Sequence, residues 1–396
     1  MRIGTANTYD NTLANLTARQ TELADIQEKL SAGKRVVRAS DDPTGAAQAE
    51  RAMTRSARVD TEQRALNLQR NSMTVAESTL GDASSLLQNI RELVLSAGDA
   101  AYTATNRNSI AQELTGLRDQ LFGYANKQDS NGIPLFGGMA SPPQPFTDVV
   151  TGVTFNGVPG QKAGNTVSIP SAMDGQAVWM NVPSGNGVFT VGLGGPNTGG
   201  VWTDTGQVVN PAALTGNNYT VTFNVVAGVT TYDVVNTTTA ATVATAQPYV
   251  DGQSIAFDGL SFTSHGLPAN GDTLQIAPST RSDLFKVLDN AIAGIKGANN
   301  SNLLTQSLTL SLTQIDTGMD RIQSARGQAG EFLKRADVID NAQQAKSIQL
   351  AADRSRAEDM DMVKGISEFQ SQQTGYSAAL QTYAQVQKLS LFNFLN

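Results

Sequence analysis

The sequence predicts an α+β, multidomain chain. Long terminal α-helices form a coiled-coil or helical-bundle rod, and an all-β domain is inserted between the two helical halves. Three observations carry this. Val59, Leu66, Met73, Leu80, Leu87 and Val94 recur at strict seven-residue spacing, with Ala76, Ala83, Ile90 and Ala97 interleaved; this marks a helix buried along one seam. A second series, Leu308, Ile315, Ile322, Ala329 and Ala336, repeats the theme towards the other end. Between them, from about residue 141 to 280, the chain turns rich in Gly, Thr, Val and Asn, with short runs bounded by turn signals, which is strand chemistry.

The first helix starts near Asn7 or Thr8, both good caps, and carries Leu13, Leu16, Leu23, Ile26 and Leu30 at helical spacing before Gly33 ends it. Its apolar stripe is narrow, so it needs a partner helix. An elbow follows over residues 31–47. There Asp42 supplies an N-cap and Pro43 the first helical position of the long helix, which Gly98 ends. Run unbroken, that helix is roughly 80 Å long at 1.5 Å per residue. Its polar face mixes Arg51, Arg55, Arg58, Arg64 and Arg70 with Glu50, Asp60 and Glu62, a solvated face rather than a nucleic-acid patch.

A third helix, about 106–126, places Ile110, Leu114, Leu117, Leu121 and Tyr124 on one face. Within the β domain, Tyr219, Val221, Phe223 and Val225 alternate with polar residues, and 231–235 reads as the returning hairpin strand. Residues 255–257 and 273–276 read as two further strands. Helix resumes near Ser282 with Leu284, Leu288, Ile292 and Ile295, and Gly297 ends it. In the second long helix Leu312, Met319 and Leu333 interleave with the main series, Arg326 breaks it, and Gly318, Gly327 and Gly330 are weak points or sites of close helix approach. The last helix, about 359–391, carries Met362, Ile366, Phe369, Tyr376, Leu380 and Tyr383. An apolar tail, residues 389–395, is left to be covered by a partner. The two ends are expected to pair with each other. Three domains result: 1–45 with 345–396 as a terminal coiled coil, 46–140 with 281–344 as long helices, and 141–280 as the β insertion.

Composition narrows the function. No Lys, Arg or Glu lies between Lys162 and Arg281, a stretch with six aspartates, so it holds -6 of the chain's net charge of -7. Nucleic acid is not a partner for such a segment. The chain has no cysteine and one histidine, His265, which excludes a zinc site and a thiolate nucleophile. No metal or cofactor site is expected. Gly33-Lys34 is followed by Arg35 and is not a phosphate loop. His265 lacks a Gly-x-Ser-x-Gly elbow and reads as a surface-loop residue. Asp41-Asp42 reads as a helix cap and a dipole-favoured charge, and Asp272 as a turn residue. No apolar run suggests a membrane span. The first residues lack the apolar run of a cleaved signal peptide, so these features alone read as cytoplasmic.

Leu30-Ser31, Gly33, Arg35, Ser40-Asp41-Asp42 and Gly45-Ala46, with Glu358 to Asp361 before the last helix, resemble the terminal motifs of the flagellin superfamily. Pro43, Leu135-Phe136-Gly137-Gly138 and Leu389-Ser390-Leu391-Phe392 resemble its hook–filament junction branch, and residues 266–272 resemble a stretch of hook-associated β domains. The resemblance implies a structural, non-enzymatic subunit of the bacterial flagellum, exported by the flagellar type III apparatus without signal cleavage. That reverses the cytoplasmic reading. It implies as partners hook-associated protein 1, flagellin, identical subunits in a ring and an export chaperone, with neither nucleic acid nor membrane. Assembly contacts would fall on Leu13, Leu16, Leu23, Ile26, Leu30, Ile366, Phe369, Tyr376, Leu380 and Tyr383. Gly33, Arg35, Asp41, Asp42, Pro43 and Gly45 form the family motif. Two alternatives stay open: a filament flagellin, and a glycan-binding or enzymatic β domain using Trp179, Trp202 or Tyr219.

Overall fold

The computed structural model describes residues 5–392 apart from 141, 151, 196 and 298–300. The chain divides into two compact units, Met1–Ala65 with Ile339–Asn396, and Leu66–Val338. Six helices are described: α1 (Thr5–Ala32), α2 (Pro43–Ala97), α3 (Ala104–Ala125), α4 (Leu284–Gly297), α5 (Ser301–Glu358) and α6 (Met362–Phe392). The apolar tail begins within α6, and its last residues lie outside the described residues.

The first unit holds α1, α6, the start of α2 and the end of α5. α1 and α6 pair with each other, as expected for two stripes that cannot stand alone. Their chains run antiparallel. A Cβ added at Gly365 would meet Leu30 Cδ2 at 3.1 Å, and one at Gly375 would meet Arg19 Nη1 at 2.7 Å.

In the second unit the seven-residue series is the core. Leu66, Met73, Leu80, Leu87 and Val94 of α2 are at most 1% exposed, and Ile315, Ile322, Ala329 and Ala336 of α5 are fully buried. Ion pairs tie the two helices in antiparallel register: Arg70–Asp337 at 2.9 Å, Glu77–Arg326 at 2.7 Å and Arg91–Asp316 at 2.6 Å. Arg326, which interrupts the apolar series, is therefore a cross-helix clasp. Gly318 is a site of close approach, since an added Cβ would lie 2.5 Å from Leu284 Cδ1; Gly327 and Gly330 face open space.

α3 is phased differently from the expected stripe. Its buried residues are Ala111, Leu114, Arg118, Leu121 and Ala125. Leu117 is displaced because Arg118 turns inward, held by Asp289 of α4 at 3.1 Å and by Asp148, with the Phe122 and Phe285 rings 5.9 and 5.8 Å from its guanidinium. Opposite charges and hydrogen bonds hold that guanidinium protonated although burial opposes it.

The insertion and the residues that return it to α4 contain thirteen short strands among the described residues. A hairpin, β1 (Phe146–Val149) and β2 (Gly152–Phe155), comes first, and β3 (Val182–Pro183) later pairs with β13 (Arg281–Ser282). The main antiparallel sheet runs β4 (Phe189–Leu193), β12 (Thr273–Pro278), β7 (Tyr219–Val226), β8 (Val229–Asn236), β9 (Ala241–Pro248). A second sheet joins β5 (Trp202–Thr203), β6 (Gln207–Val208), β10 (Ser254–Phe257) and β11 (Leu260–His265). One apolar cluster fills the space between the sheets, with Val191, Val221, Phe223 and Leu274 fully buried. The Tyr219 alternation and its hairpin return stand as expected, whereas β9 and β11 were not legible.

The acidity of this segment is structural. Asp174, Asp204, Asp233, Asp251, Asp258 and Asp272 each accept a hydrogen bond from a nearby backbone or side-chain group. Asp272 is more than a turn residue: at 2% exposure it takes the N–H groups of Thr198, Gly199 and Ala269 at 2.8–3.0 Å. Aspartate suits this task because its short side chain reaches local backbone N–H groups.

Buried contacts help seat the insertion on the helices. Gln306 of α5, 4% exposed, accepts from the Thr203 N–H at 2.6 Å and donates to the Val191 carbonyl at 3.3 Å. Leu135 and Phe136 are buried, and Phe136 meets Trp179 edge-on at 5.5 Å, which in turn stacks on Phe285 of α4 at 6.2 Å.

Candidate assembly site

The family-motif residues converge on the elbow between α1 and α2. Gly33 ends α1 with φ +67°, and its N–H donates to the Leu30 carbonyl at 3.2 Å. This is the left-handed stop that glycine adopts without a Cβ penalty. The chain then meets the α5–α6 junction through an isolated antiparallel bridge between Lys34 and Asp359. Arg35 and Val36 donate their N–H groups to the Glu358 carbonyl at 2.8 and 3.2 Å, and Met360 donates to the Gly33 carbonyl at 3.0 Å.

Side chains reinforce the crossing. Asp41 Oδ2 accepts from the N–H groups of Val37 and Arg38 at 3.1 and 2.9 Å, closing the loop. Asp42 Oδ1 accepts from Thr44 and Gly45 at 3.1 and 2.9 Å, so it is the N-cap of α2, with Pro43 in the first turn as expected. Arg35 bridges the elements, reaching Asp42 Oδ2 and the Ala357 carbonyl, each at 2.8 Å. Gly45 leaves room for this, because an added Cβ would sit 2.6 Å from Asp42 Oδ2 and 3.0 Å from the Ala357 carbonyl. The Arg38 N–H, with that of Val37 and the Lys29 charge, holds the Asp41 carboxyl below its ordinary range; the Gly45 N–H and then Arg35 do the same for Asp42.

Three further groups join the crossing, of which Glu358 and Asp361 belong to the C-terminal motif read in the sequence and Lys34 does not. Lys34 pairs with Glu358 at 3.2 Å, and Asp361 caps α6 through Val363 and Lys364 at 3.0 and 3.2 Å. Asp361 followed by helical spacing was the available signal. Lys34–Glu358 had none, since its partners lie far apart in sequence.

The apolar positions fall into two classes. Leu16 is buried; Leu23, Ile26, Leu30, Phe369, Tyr376 and Tyr383 are half-buried in the α1–α6 pair. Leu13, Ile366 and Leu380 are 47%, 46% and 42% exposed, beside exposed Met362 and Val363. The pair thus satisfies part of its apolar surface and presents the rest. What this arrangement can do is bind another apolar surface.

Among the described residues no group of three metal-ligating side chains occurs, and no helix is long and apolar enough to cross a membrane. His265 is not in a loop: it ends β11, stacks on Trp202 at 4.4 Å, and has Asp251 3.8 Å from Nδ1. Trp179 and Tyr219 are 0% and 2% exposed and offer no platform to a glycan.

Comparison with known proteins agrees with the motif reading. Residues 3–141 match the bacterial flagellin N-terminal helical region, and residues 312–395 the C-terminal helical region. Flagellar hook-associated protein 3 of Salmonella typhimurium is 24% identical over 99% of both chains. Polar flagellin F of Vibrio parahaemolyticus is 24% identical over 91% of this chain and 89% of its own. The crystal structure of the flagellar junction protein FlgL from Legionella pneumophila superposes with a TM-score of 0.68 at 28% identity, covering 73% of this chain and 99% of that one.

Proposed function

We infer the role of this chain from its family: it belongs to the flagellin superfamily and, within it, is most like hook-associated protein 3. It is a structural component of the bacterial flagellum, the junction subunit between hook and flagellin filament. The observation that carries this is the combined likeness to junction proteins, end to end in sequence and over 73% of the chain in structure.

On this reading its partners are hook-associated protein 1 on one side, flagellin on the other, and identical subunits in a ring, with an export chaperone beforehand. Export through the flagellar type III apparatus, without a cleaved signal, is part of the same reading. The exposed Leu13, Ile366 and Leu380 support it, because apolar side chains on one paired element are what a neighbouring subunit would cover. The division into terminal coiled coil (1–45, 345–396), long helices (46–140, 281–344) and β insertion (141–280) is the corresponding functional reading: inner contact, scaffold and outer surface.

Filament flagellin is the second reading, favoured by the long match to polar flagellin F. Immunogold labelling of isolated flagella with antibody against residues 141–280 separates the two. Gold in one band between hook and filament is the expected result; gold along the filament makes this a flagellin.

A further inference from the structure

Two glutamines of α5 are buried, and they are not alike. Gln306 spends both ends of its amide on the β insertion. Gln343 is also 4% exposed, yet neither its Oε1 nor its Nε2 has a hydrogen-bond partner among the described residues. Asp340, one turn earlier in α5, is already engaged elsewhere, taking the amides of Gln63 and Gln344, the latter at 2.7 Å.

Its position makes this informative. Counting in sevens from Leu308, α5 buries Ile315, Ile322, Ala329, Ala336, Gln343, Leu350 and Ala357. Gln343 is the one polar residue in that series. The Gln63–Asp340 bond places it opposite the stretch of α2 that follows Val59, itself 2% exposed. A polar residue at such a position costs stability, and a buried amide without partners raises that cost. It lies four residues inside the unit that begins at Ile339.

We propose that Gln343 is a built-in weak point in the helical seam of the first unit. The seam from Gln343 towards the elbow opens as its own cooperative step, without global unfolding, and frees the strip of α5 that Arg35 grips at Ala357. In the second unit the buried polar side chains Ser72, Thr79, Ser84 and Gln306 are hydrogen-bonded and Arg326 is paired, so that unit does not take part in the opening. This device does not depend on the junction reading, since a filament subunit with the same glutamine would open in the same way.

Native-state hydrogen exchange on the full chain tests it. Gln343→Met is close to isosteric and removes only the amide. Protection of amides in 47–59 and 343–357 should rise about tenfold, while amides of Tyr219–Val226 and the 315–322 turns of α5 stay unchanged. Gln343→Leu is the second variant and should act in the same direction. Unchanged or lower protection in both variants would overturn the proposal, because the amide would then be satisfied in solution. An equal rise in both units would overturn it too, because the chain would then open as one.

Discussion

The Met360 N–H donates to the Gly33 carbonyl at 3.0 Å, so the α1–α2 and α5–α6 connections lie at the same level. Gly33 ends α1 and Met360 separates α5 from α6. Arg35 then ties the start of α2 to the last turn of α5 through Asp42 and Ala357. The terminal pair therefore leaves the long helices through one joint crossing rather than two independent loops.

This crossing predicts an acid dependence. Asp41 and Asp42 both have folded-state pKa values below their ordinary ones. Their stabilising effect is thus fully present above the unfolded carboxylate pKa of about 4, and is lost as pH falls through the lower folded value. Amide protection at residues 35–45 should hold from about pH 8 to 5 and fall only below about pH 4. Carboxyl NMR titration gives the same test. Asp42→Asn should remove its share of the acid step; loss of protection already at neutral pH would count against the crossing.

Gln306→Leu should destabilise the second unit. It leaves the Thr203 N–H, in a fully buried residue, and the Val191 carbonyl without their partner. A buried unsatisfied group costs about 1–3 kcal/mol. Urea denaturation followed by fluorescence of Trp179 and Trp202 measures it. The opposite sign is expected at Gln343, so the pair of variants separates a satisfied buried amide from an unsatisfied one.

Gly138 is the conformational requirement behind the Leu-Phe-Gly-Gly run. Its φ is +71°, and an added Cβ would lie 2.1 Å from the Val158 carbonyl. Gly138→Ala therefore combines strain with a backbone clash and should cost at least about 2 kcal/mol. Gly327→Ala, in open space within α5, should instead stabilise by up to about 1 kcal/mol. Thermal unfolding of the two variants side by side is the check.

What the sequence revealed depended on whether burial was periodic. Met73 and Leu80 were readable because one seam selects every seventh residue. α3 was misphased because Arg118 is charged, and only its aspartates and Phe285, distant in sequence, explain its burial. β9 escaped because nearly every residue in Ala241–Pro248 is exposed, leaving no alternation. β11 escaped for the opposite reason, since Leu260, Ser261 and Phe262 are buried in succession. The elbow motif was dense enough to find, but its function as a crossing was not: Arg35 and Ala357 are 322 positions apart.

The two ends of the apolar stripe should fail differently. Leu16 is 7% exposed and lies inside the α1–α6 pair, whereas Leu380 is 42% exposed on its surface. Leu16→Asp buries an uncompensated carboxylate, so it should separate α1 from α6 and block incorporation into flagella. Leu380→Asp removes apolar surface that the pair leaves uncovered, so the isolated chain should keep the helicity and thermal stability of the parent. If that surface is where a neighbouring subunit packs, incorporation is lost nonetheless. Circular dichroism of the purified variants and motility of complemented cells supply the two readouts. Normal motility with Leu380→Asp would remove this residue from the assembly surface while leaving the α1–α6 pairing intact.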